Sequence, residues 1–237
     1  MQLSKRLQAV AELVTPGNRV ADIGCDHAYT SIYLVKQGIS RSVIAMDINQ
    51  GPVDRAKENV AKYHCKDHIE VRKSDGLKKL APEEADTIII AGMGGELTVQ
   101  ILSEGMEAVK SARELILQPQ SEVYKVRRFL TGCNFIIIHE IMIREDGKYY
   151  VMLKAIPSEA VTDKELYQLA GKEHFHYGRL LLEQRNKVLE EFLLWDMEIC
   201  TKIMDTLTDG NSESSCRRKK EIEDRMVLLR CGLSYYQ

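Results

Sequence analysis

The 237-residue sequence predicts an α/β fold, built on a doubly wound and mostly parallel sheet of seven strands. Up to Pro157, short apolar segments alternate with segments in which apolar residues recur at helical spacing. The last two apolar segments instead flank Asp146-Gly147, a pair typical of the turn in an antiparallel hairpin. After Pro157 the chain becomes rich in Leu, Glu and Lys, which indicates an additional helical region.

The individual elements follow from the spacing of apolar residues. Leu3, Leu7 and Val10 predict a first helix, which the pair Pro16-Gly17 ends. The fourth strand is continuously apolar, as expected of a strand that is buried on both faces of a parallel sheet. The predicted strands span residues 19–24, 42–47, 68–73, 85–91, 114–118, 135–144 and 149–157. The predicted helices between them span residues 30–37, 52–63, 97–107 and 121–130.

The chain after Pro157 is predicted to form a second domain, so that the two domains cover residues 1–157 and 158–237. Apolar residues from Leu181 to Ile203 keep spacings near three, four and seven, and Ile222 to Leu233 repeat the pattern. The polar residues 209–212 separate the two stretches. We therefore expect an antiparallel, coiled-coil-like helical hairpin.

Composition and charge exclude several classes of protein. The formal net charge of −2 gives no global signature of nucleic-acid binding, although a local basic patch can suffice. The six cysteines form no C-x-x-C pair and no zinc-site spacing, so we expect free thiols in a reducing cytoplasm and no metal. The N-terminus does not resemble a signal peptide, and no run approaches the roughly 18–20 apolar residues of a membrane helix. A soluble, cytoplasmic protein is expected.

The most informative segment is VADIGCDHAY, residues 20–29, where a strand passes through a glycine turn into a helix. Only Gly24 matches the G-x-G-x-x-G pattern that lets backbone N–H groups approach a pyrophosphate. Asp22 and Asp26 would repel phosphates, but they suit a ligand with cationic sulfonium and ammonium groups. S-adenosylmethionine (SAM) therefore fits this loop better than NAD does.

Three further strand ends carry residues suited to an adenosyl group. Asp47 ends the second strand and can accept both ribose hydroxyls. Asp75-Gly76 ends the third strand, where an acid commonly meets the adenine amino group in SAM enzymes. The glycines of residues 92–95 follow the fourth strand and suggest close passage of the backbone past a ligand. Ordinary turns are the alternative interpretation of each. The fourth strand lacks the Asp/Asn-Pro-Pro-Tyr/Phe motif of enzymes that methylate exocyclic amines.

Other side chains suit a polar substrate and an anionic partner. His27 can carry a proton or contact the carboxylate of SAM, and Tyr29 can stack on a flat substrate. Local hydrogen bonding of His27 and simple packing of Tyr29 are the alternatives. The candidate contacts with phosphate groups are Arg6, Arg127, Arg128, Arg217, Arg218, Lys219 and Lys220. A solvated helix face is the alternative for the last four, because acidic residues outnumber basic ones after residue 157.

Two loop motifs carry a family resemblance. DIGCDHAY (residues 22–29) and AGMGG (residues 91–95), with the helical C-terminal extension, resemble the bacterial tRNA (adenine-N1)-methyltransferases that modify the D-arm adenine at position 22, the TrmK family. The opening MQLSKRL and the segment QPQ (residues 118–120) are similar to that family too. The resemblance covers the whole chain. It implies a Rossmann-like, class I SAM-binding domain and a helical domain that helps to hold tRNA. The seven candidate phosphate contacts are then predicted to bind tRNA. It implies donor contacts at Asp22, Gly24, Asp26, His27, Asp47, Asp75, Gly76, Gly92 and Met93.

The expected reaction gives N1-methyladenine and S-adenosylhomocysteine, with Asp26, His27 and Tyr29 as the predicted catalytic residues. Adenine N1 is already a neutral nucleophile, so the main task is positioning. Asp26 would stabilise the developing positive charge or take a proton from the amine, and Tyr29 would stack a flipped base. The alternatives are a small-molecule methyltransferase with a helical lid and a non-catalytic SAM-binding module; an NAD-dependent oxidoreductase is disfavoured by the missing glycines. A monomer that acts on tRNA is favoured.

Overall fold

Seven strands form one mixed sheet in the computed structural model, which describes residues 3–207 and 213–237. In chain order they are β1 (Val20–Ile23), β2 (Val43–Asp47), β3 (Ile69–Lys73), β4 (Thr87–Met93), β5 (Glu114–Pro119), β6 (Phe135–Glu145) and β7 (Lys148–Pro157). Across the sheet their order is β3-β2-β1-β4-β5-β7-β6. The first five strands are parallel, and β7 is antiparallel to both β5 and β6. The predicted doubly wound sheet with a terminal antiparallel hairpin is confirmed.

Helices connect the parallel strands and form the C-terminal region. They are α1 (Lys5–Glu12), α2 (Tyr29–Lys36), α3 (Gln50–Lys62), α4 (Gly95–Glu104), α5 (Met106–Ser111), α6 (Val123–Gly132), α7 (Lys172–Tyr177), α8 (Arg179–Glu183), α9 (Lys187–Thr206) and α10 (Glu213–Leu233). Short 3₁₀ helices span Ser158–Ala160, Lys164–Tyr167 and Ser234–Tyr236. Of the described helices, none combines the length and apolarity that a membrane span requires.

The predicted helix over residues 97–107 is wrong in one respect, because the chain forms two helices that meet at Gly105. A side chain at this position would overlap the side chain of Leu77, so only glycine permits the observed approach. Gly105 therefore ends α4 and directly precedes the first residue of α5.

The order of the strands reverses between β1 and β4, which places a topological switch point there. Ligands of open α/β sheets bind at the carboxyl ends of the strands beside such a point. The strands that flank it supply the centre of the core, with Ile88, Ile89 and Ile90 of β4 completely buried. The rigid sheet therefore fixes where the loops after β1, β2, β4 and β5 begin.

Contacts divide the chain into two compact units, residues 1–168 and 169–237, whereas the sequence suggested a division after residue 157. The 3₁₀ helix Lys164–Tyr167 packs against β6, which joins this connecting segment to the sheet.

Within the second unit, α9 and α10 form the predicted antiparallel pair. Arg225 donates two hydrogen bonds to the buried carboxylate of Asp196, at 2.9 and 2.6 Å. Leu193 and Leu229 are completely buried in the same unit. The predicted connecting loop, residues 209–212, lies outside the described residues.

Candidate active site

The loops at the switch point enclose a crevice with two lobes. The first lobe, of about 250 Å³, is lined by Arg6, Leu7, Asp22, Gly24, Cys25, Asp26, His27, Tyr29, Thr30, Ala91, Gly92 and Gln120. The second, of about 360 Å³, is lined by Ile23, Gly24, Asp47, Ile48, Asn49, Ser74, Asp75, Gly76, Ala91, Gly92, Met93, Leu97 and Ile101. Three residues border both lobes: Gly24, Ala91 and Gly92. The nine residues predicted to contact SAM, the methyl donor, therefore all line this crevice.

Two backbone N–H groups at the start of the loop after β1 are already hydrogen-bonded within the protein. The backbone N–H groups of Gly24 and Cys25 both donate to the carbonyl oxygen of Met46, at 2.8 and 3.0 Å. These bonds tie the loop to β2 and use the donors that a dinucleotide loop would offer to pyrophosphate. The geometry therefore agrees with the sequence argument against a dinucleotide.

Glycine is required at two positions where the backbone borders both lobes. Gly24 has a φ of +75°, and a side chain there would collide with the terminal methyl group of Met93. Gly92 has a φ of +82°, and its N–H donates to Oε1 of Gln118 at 3.1 Å. Positive φ angles are costly for other residues, so both glycines keep the floor of the crevice open.

Asp22 places a buried carboxylate in the first lobe. It is 5% exposed, and its Oδ2 accepts a hydrogen bond of 2.6 Å from the hydroxyl of Ser31. Burial raises the pKa of Asp22 to about 6, although the Ser31 hydrogen bond opposes the shift. Burial, reinforced by the neighbouring carboxylates, also raises the pKa of the Cys25 thiol far above its ordinary value. The lobe therefore favours a cationic group beside Asp22.

The three residues predicted to act in catalysis lie together on one wall of the first lobe. The rings of His27 and Tyr29 stack, with centroids 5.4 Å apart and an interplanar angle of 14°. Asp26 accepts a hydrogen bond of 3.1 Å from Nη2 of Arg55 and lies 3.5 Å from Nε2 of His27. Sequence reasoning missed Arg55, because a single arginine within a helix gives no signal of its distant partner.

The second lobe combines carboxylates with apolar side chains. Asp47 accepts the backbone N–H of Asn49 at 2.9 Å, and the carboxylate of Asp75 pairs with Lys78. Ile48 and Leu97 line the same lobe and are 52% and 47% exposed. These two apolar residues were also missed, since each looks in sequence like an ordinary member of a loop or helix. Apolar faces beside carboxylates fit a heteroaromatic base joined to a sugar.

Arg6 was predicted to contact tRNA, and the structure places it in the wall of the first lobe. Its Nη1 donates to Oε1 of the fully buried Gln118 at 2.6 Å. Its guanidinium lies over the ring of Tyr150, 5.6 Å from the centroid. Gln120 lines the same lobe.

The prediction that Arg127 contacts tRNA is wrong. Its side chain is completely buried, and its Nε donates to Oε1 of Glu140 at 2.9 Å. A guanidinium enclosed in the core cannot reach a phosphate on the surface. The remaining predicted contacts lie on exposed surface: Arg128 on α6 and Arg217, Arg218, Lys219 and Lys220 on α10.

Comparison with known proteins agrees with this geometry. A family model described as a methyltransferase domain matches residues 3–153. The tRNA (adenine(22)-N(1))-methyltransferase of Bacillus subtilis (strain 168) is 35% identical over 97% of this chain and 96% of its own length.

Solved structures show the same similarity in three dimensions over 98% of the chain. The crystal structure of the B. subtilis tRNA methyltransferase TrmK has a TM-score of 0.86 at 34% identity, covering 98% of this chain and 99% of that one. A Streptococcus pneumoniae protein, Sp1610, solved in complex with SAM, has a TM-score of 0.81 at 29% identity, covering 98% and 100%. The switch-point crevice thus lies in a chain that belongs to the tRNA (adenine(22)-N(1))-methyltransferase family.

Proposed function

We propose that this protein transfers the methyl group of SAM to N1 of adenine 22 in the D-arm of tRNA, giving N1-methyladenine and S-adenosylhomocysteine. The observation that carries the proposal is the pair of lobes at the switch point, which supply carboxylates for a cationic end and apolar faces for a base. Membership of the family supports the substrate and the position of the adenine. The complex of Sp1610 with SAM supports the donor.

Different residues of the crevice suit different groups of SAM. SAM supplies an electrophilic methyl group on a sulfonium when it is bound. Asp22, enclosed in the first lobe, suits the ammonium group. In the second lobe, Asp47 suits the ribose hydroxyls, while Ile48 and Leu97 suit the two faces of the adenine. Asp75 suits the adenine amino group, which would share this carboxylate with Lys78.

The wall formed by Asp26, His27 and Tyr29 suits the acceptor base. Tyr29 is 38% exposed, so its ring is accessible to a flat partner while His27 stacks beside it. Asp26, held by Arg55, lies where it can balance the positive charge that develops on the methylated base. Because N1 lies on the pairing edge, the base must leave its stack before it reaches this wall.

Exposed cations support a contact with the tRNA backbone. We assign this role to Arg128 of α6 and to the basic run of α10, Arg217–Lys220. The proposal includes a monomeric enzyme. A tRNA substrate and six unpaired cysteines together support a reducing, cytoplasmic location.

The decisive experiment is methyl transfer to unmodified tRNA transcripts with labelled SAM, followed by mapping of the modified nucleotide. We expect label on N1 of adenine 22 and none on a transcript that carries guanine there. Transfer only to a small molecule would support the small-molecule methyltransferase instead. Binding of SAM without any transfer to RNA would contradict the proposed activity.

Tyr29→Ala is expected to lower the single-turnover rate of transfer by about tenfold to a hundredfold, because stacking of a base on an aromatic ring contributes about 1–3 kcal/mol. Tyr29→Phe keeps the ring and is the matched control, for which we expect nearly the parent rate. Rapid-quench measurements at saturating SAM separate this effect from donor binding. An undiminished rate in Tyr29→Ala would remove Tyr29 from the acceptor site.

The affinity for SAM is expected to fall about tenfold for each pH unit below about 6. Since burial raises the pKa of Asp22 to about 6, the side chain gains a proton below that pH and loses the charge that attracts the ammonium group. Isothermal titration calorimetry between pH 5 and 8 measures the slope. Asp22→Asn is the control: its affinity should be lower at pH 8 and nearly constant over the range. If the affinity of both proteins fell equally with pH, a group other than Asp22 would be taking up the proton.

The same raised pKa affects the stability of the ligand-free protein. The folded state holds the proton of Asp22 more tightly than the unfolded state, so this carboxyl costs stability as pH rises from about 4 through 6. Asp22→Asn is therefore expected to be more stable than the parent at pH 8, by up to about 3 kcal/mol.

A further inference from the structure

The first lobe contains a cation among carboxylates. Among the described residues that line it, Arg6 carries the one permanent positive charge, while Asp22 and Asp26 are acidic. Arg6 lies in the wall of this cavity and is half-buried, so its side chain is less accessible to a polynucleotide than a fully exposed arginine is. Its position therefore favours a small anionic group inside the crevice over the backbone of a polynucleotide.

The guanidinium of Arg6 is held in place from several sides. Gln118, completely buried in β5, accepts from Nη1 of Arg6 at 2.6 Å, and the ring of Tyr150 lies beneath the cation. The carboxylate of Glu145, at the end of β6, accepts the backbone N–H groups of Lys5 and Arg6 at 2.6 and 3.4 Å. The start of α1 and the side chain of Arg6 are thus fixed against three strands.

Gln118 forms hydrogen bonds with both Arg6 and the backbone of Gly92, which lies at the floor of the crevice. Its Oε1 accepts from both Arg6 and the N–H of Gly92, which determines the orientation of the amide. Its Nε2 is buried, and it has no hydrogen-bond partner within the described residues. Leaving a buried donor unpaired is costly, and we attribute the presence of this amide to its oxygen, which positions both Arg6 and Gly92.

In SAM, the α-carboxylate is the one group that would pair with this cation. The amino-acid end of SAM carries an ammonium and a carboxylate, and Asp22 suits only the first. The N–H groups of Gly24 and Cys25 are used by Met46, so they cannot receive the carboxylate. A methyl group added to Gly92 would lie 3.6 Å from Nη1 of Arg6, which places the guanidinium at the glycine that borders both lobes.

We propose that Arg6 binds the α-carboxylate of SAM and that Gln118 positions it for this contact. The inference rests on the proposed function and replaces the earlier predictions that Arg6 binds a tRNA phosphate and that His27 contacts this carboxylate. A charge-assisted pair between a guanidinium and a carboxylate is the strongest hydrogen-bonded contact available to this end of the donor.

The test compares SAM with decarboxylated SAM, which lacks only the α-carboxylate. Calorimetric titrations with the full-length chain give both dissociation constants. We expect the parent protein to prefer SAM by about tenfold to a hundredfold. Arg6→Met should bind the two ligands almost equally, at the affinity of the parent for decarboxylated SAM. His27→Gln is the matched control and should keep the preference.

Gln118→Met tests the positioning role. We expect it to reduce the preference for SAM while leaving the affinity for decarboxylated SAM unchanged. A merely structural role would weaken both ligands equally, and that result would remove Gln118 from the inference.

The outcomes separate this inference from the proposed function. If the parent chain binds neither ligand, the proposed function fails. If the parent binds SAM and Arg6→Met keeps the full preference for SAM over decarboxylated SAM, the proposed role of Arg6 is overturned. If that variant also loses affinity for tRNA, Arg6 contacts tRNA instead. Loss of the preference in His27→Gln but not in Arg6→Met would also overturn the inference, because His27 would then hold the carboxylate.

Discussion

Arg127→Met is expected to lower the free energy of unfolding by about 3–5 kcal/mol, a large share of the roughly 5–15 kcal/mol that stabilises a typical domain. Nη2 of Arg127 lies 2.8 Å from Oε1 of Glu140, and both side chains are almost completely buried. The substitution leaves the carboxylate in the core without its cation, and this uncompensated charge is the main cost. Urea denaturation followed by circular dichroism measures the change.

Two controls separate stability from tRNA binding. Arg127→Met/Glu140→Met removes both charges, and we expect it to recover most of the lost stability because no unpaired charge remains. Arg128→Ala changes the exposed neighbour, so unfolding should stay within about 0.5 kcal/mol of the parent while tRNA affinity falls. A normally stable Arg127→Met protein with weakened tRNA binding would show that the burial argument is mistaken.

Gly95→Ala is expected to destabilise the protein by about 3 kcal/mol and to weaken SAM binding. A methyl group at this position would lie 2.5 Å from the carbonyl oxygen of Ser121 and 2.6 Å from that of Glu122, and both are backbone atoms that cannot rotate away. The N–H of Gly95 donates to the same Ser121 oxygen at 3.0 Å, so the loops after β4 and β5 are bonded together. Separating them displaces Gly92 and Gln120, which line the first lobe.

Gly132→Ala is the matched control for this substitution. Gly132 also lies in a helix, but a methyl group there would meet nothing within 4 Å. We expect an unchanged or slightly raised stability, by up to about 1 kcal/mol, because alanine favours the helix. Equal melting temperatures for the two alanine variants would show that the loops yield without cost.

The sheet was predictable because each strand and its ends can be recognised from neighbouring residues in the sequence. Most strands are apolar runs of their own, whereas the edge strand β3 contains three charged residues among five, and the boundaries lie within a few residues of a glycine, a proline or a capping residue. The switch point then follows from the alternation of strands and helices. The break at Gly105 was not predictable, since it depends on contact with Leu77, which is distant in sequence.

The burial of Arg127 illustrates what sequence reasoning could not reach. Its partner Glu140 lies in β6, where alternation from Phe135 and Ile137 would place residue 140 on the opposite face. An irregularity in the pairing of β6 with β7, between Ile137 and His139, shifts this phase and turns Glu140 inward. An arginine on a helix therefore became a core residue because of one extra residue in a strand.

The candidate site was likewise predictable where its residues are neighbours in the sequence, and not where they come from separate elements. Asp22, Asp26, His27 and Tyr29 lie close together in the chain, so one loop motif was enough to group them. Arg55, Ile48 and Leu97 come from separate elements, and only the folded sheet brings them to the crevice.

The protonated thiol of Cys25 has a practical consequence for chemical labelling. Thiolates are the reactive species toward maleimides and peroxides, so this buried side chain should resist modification at neutral pH. Reagents should instead reach the exposed Cys216 and Cys231 first. Cys216 directly precedes the basic run of α10, so a dye attached there, after replacement of Cys231, would report on tRNA contact by fluorescence while the crevice stays unmodified.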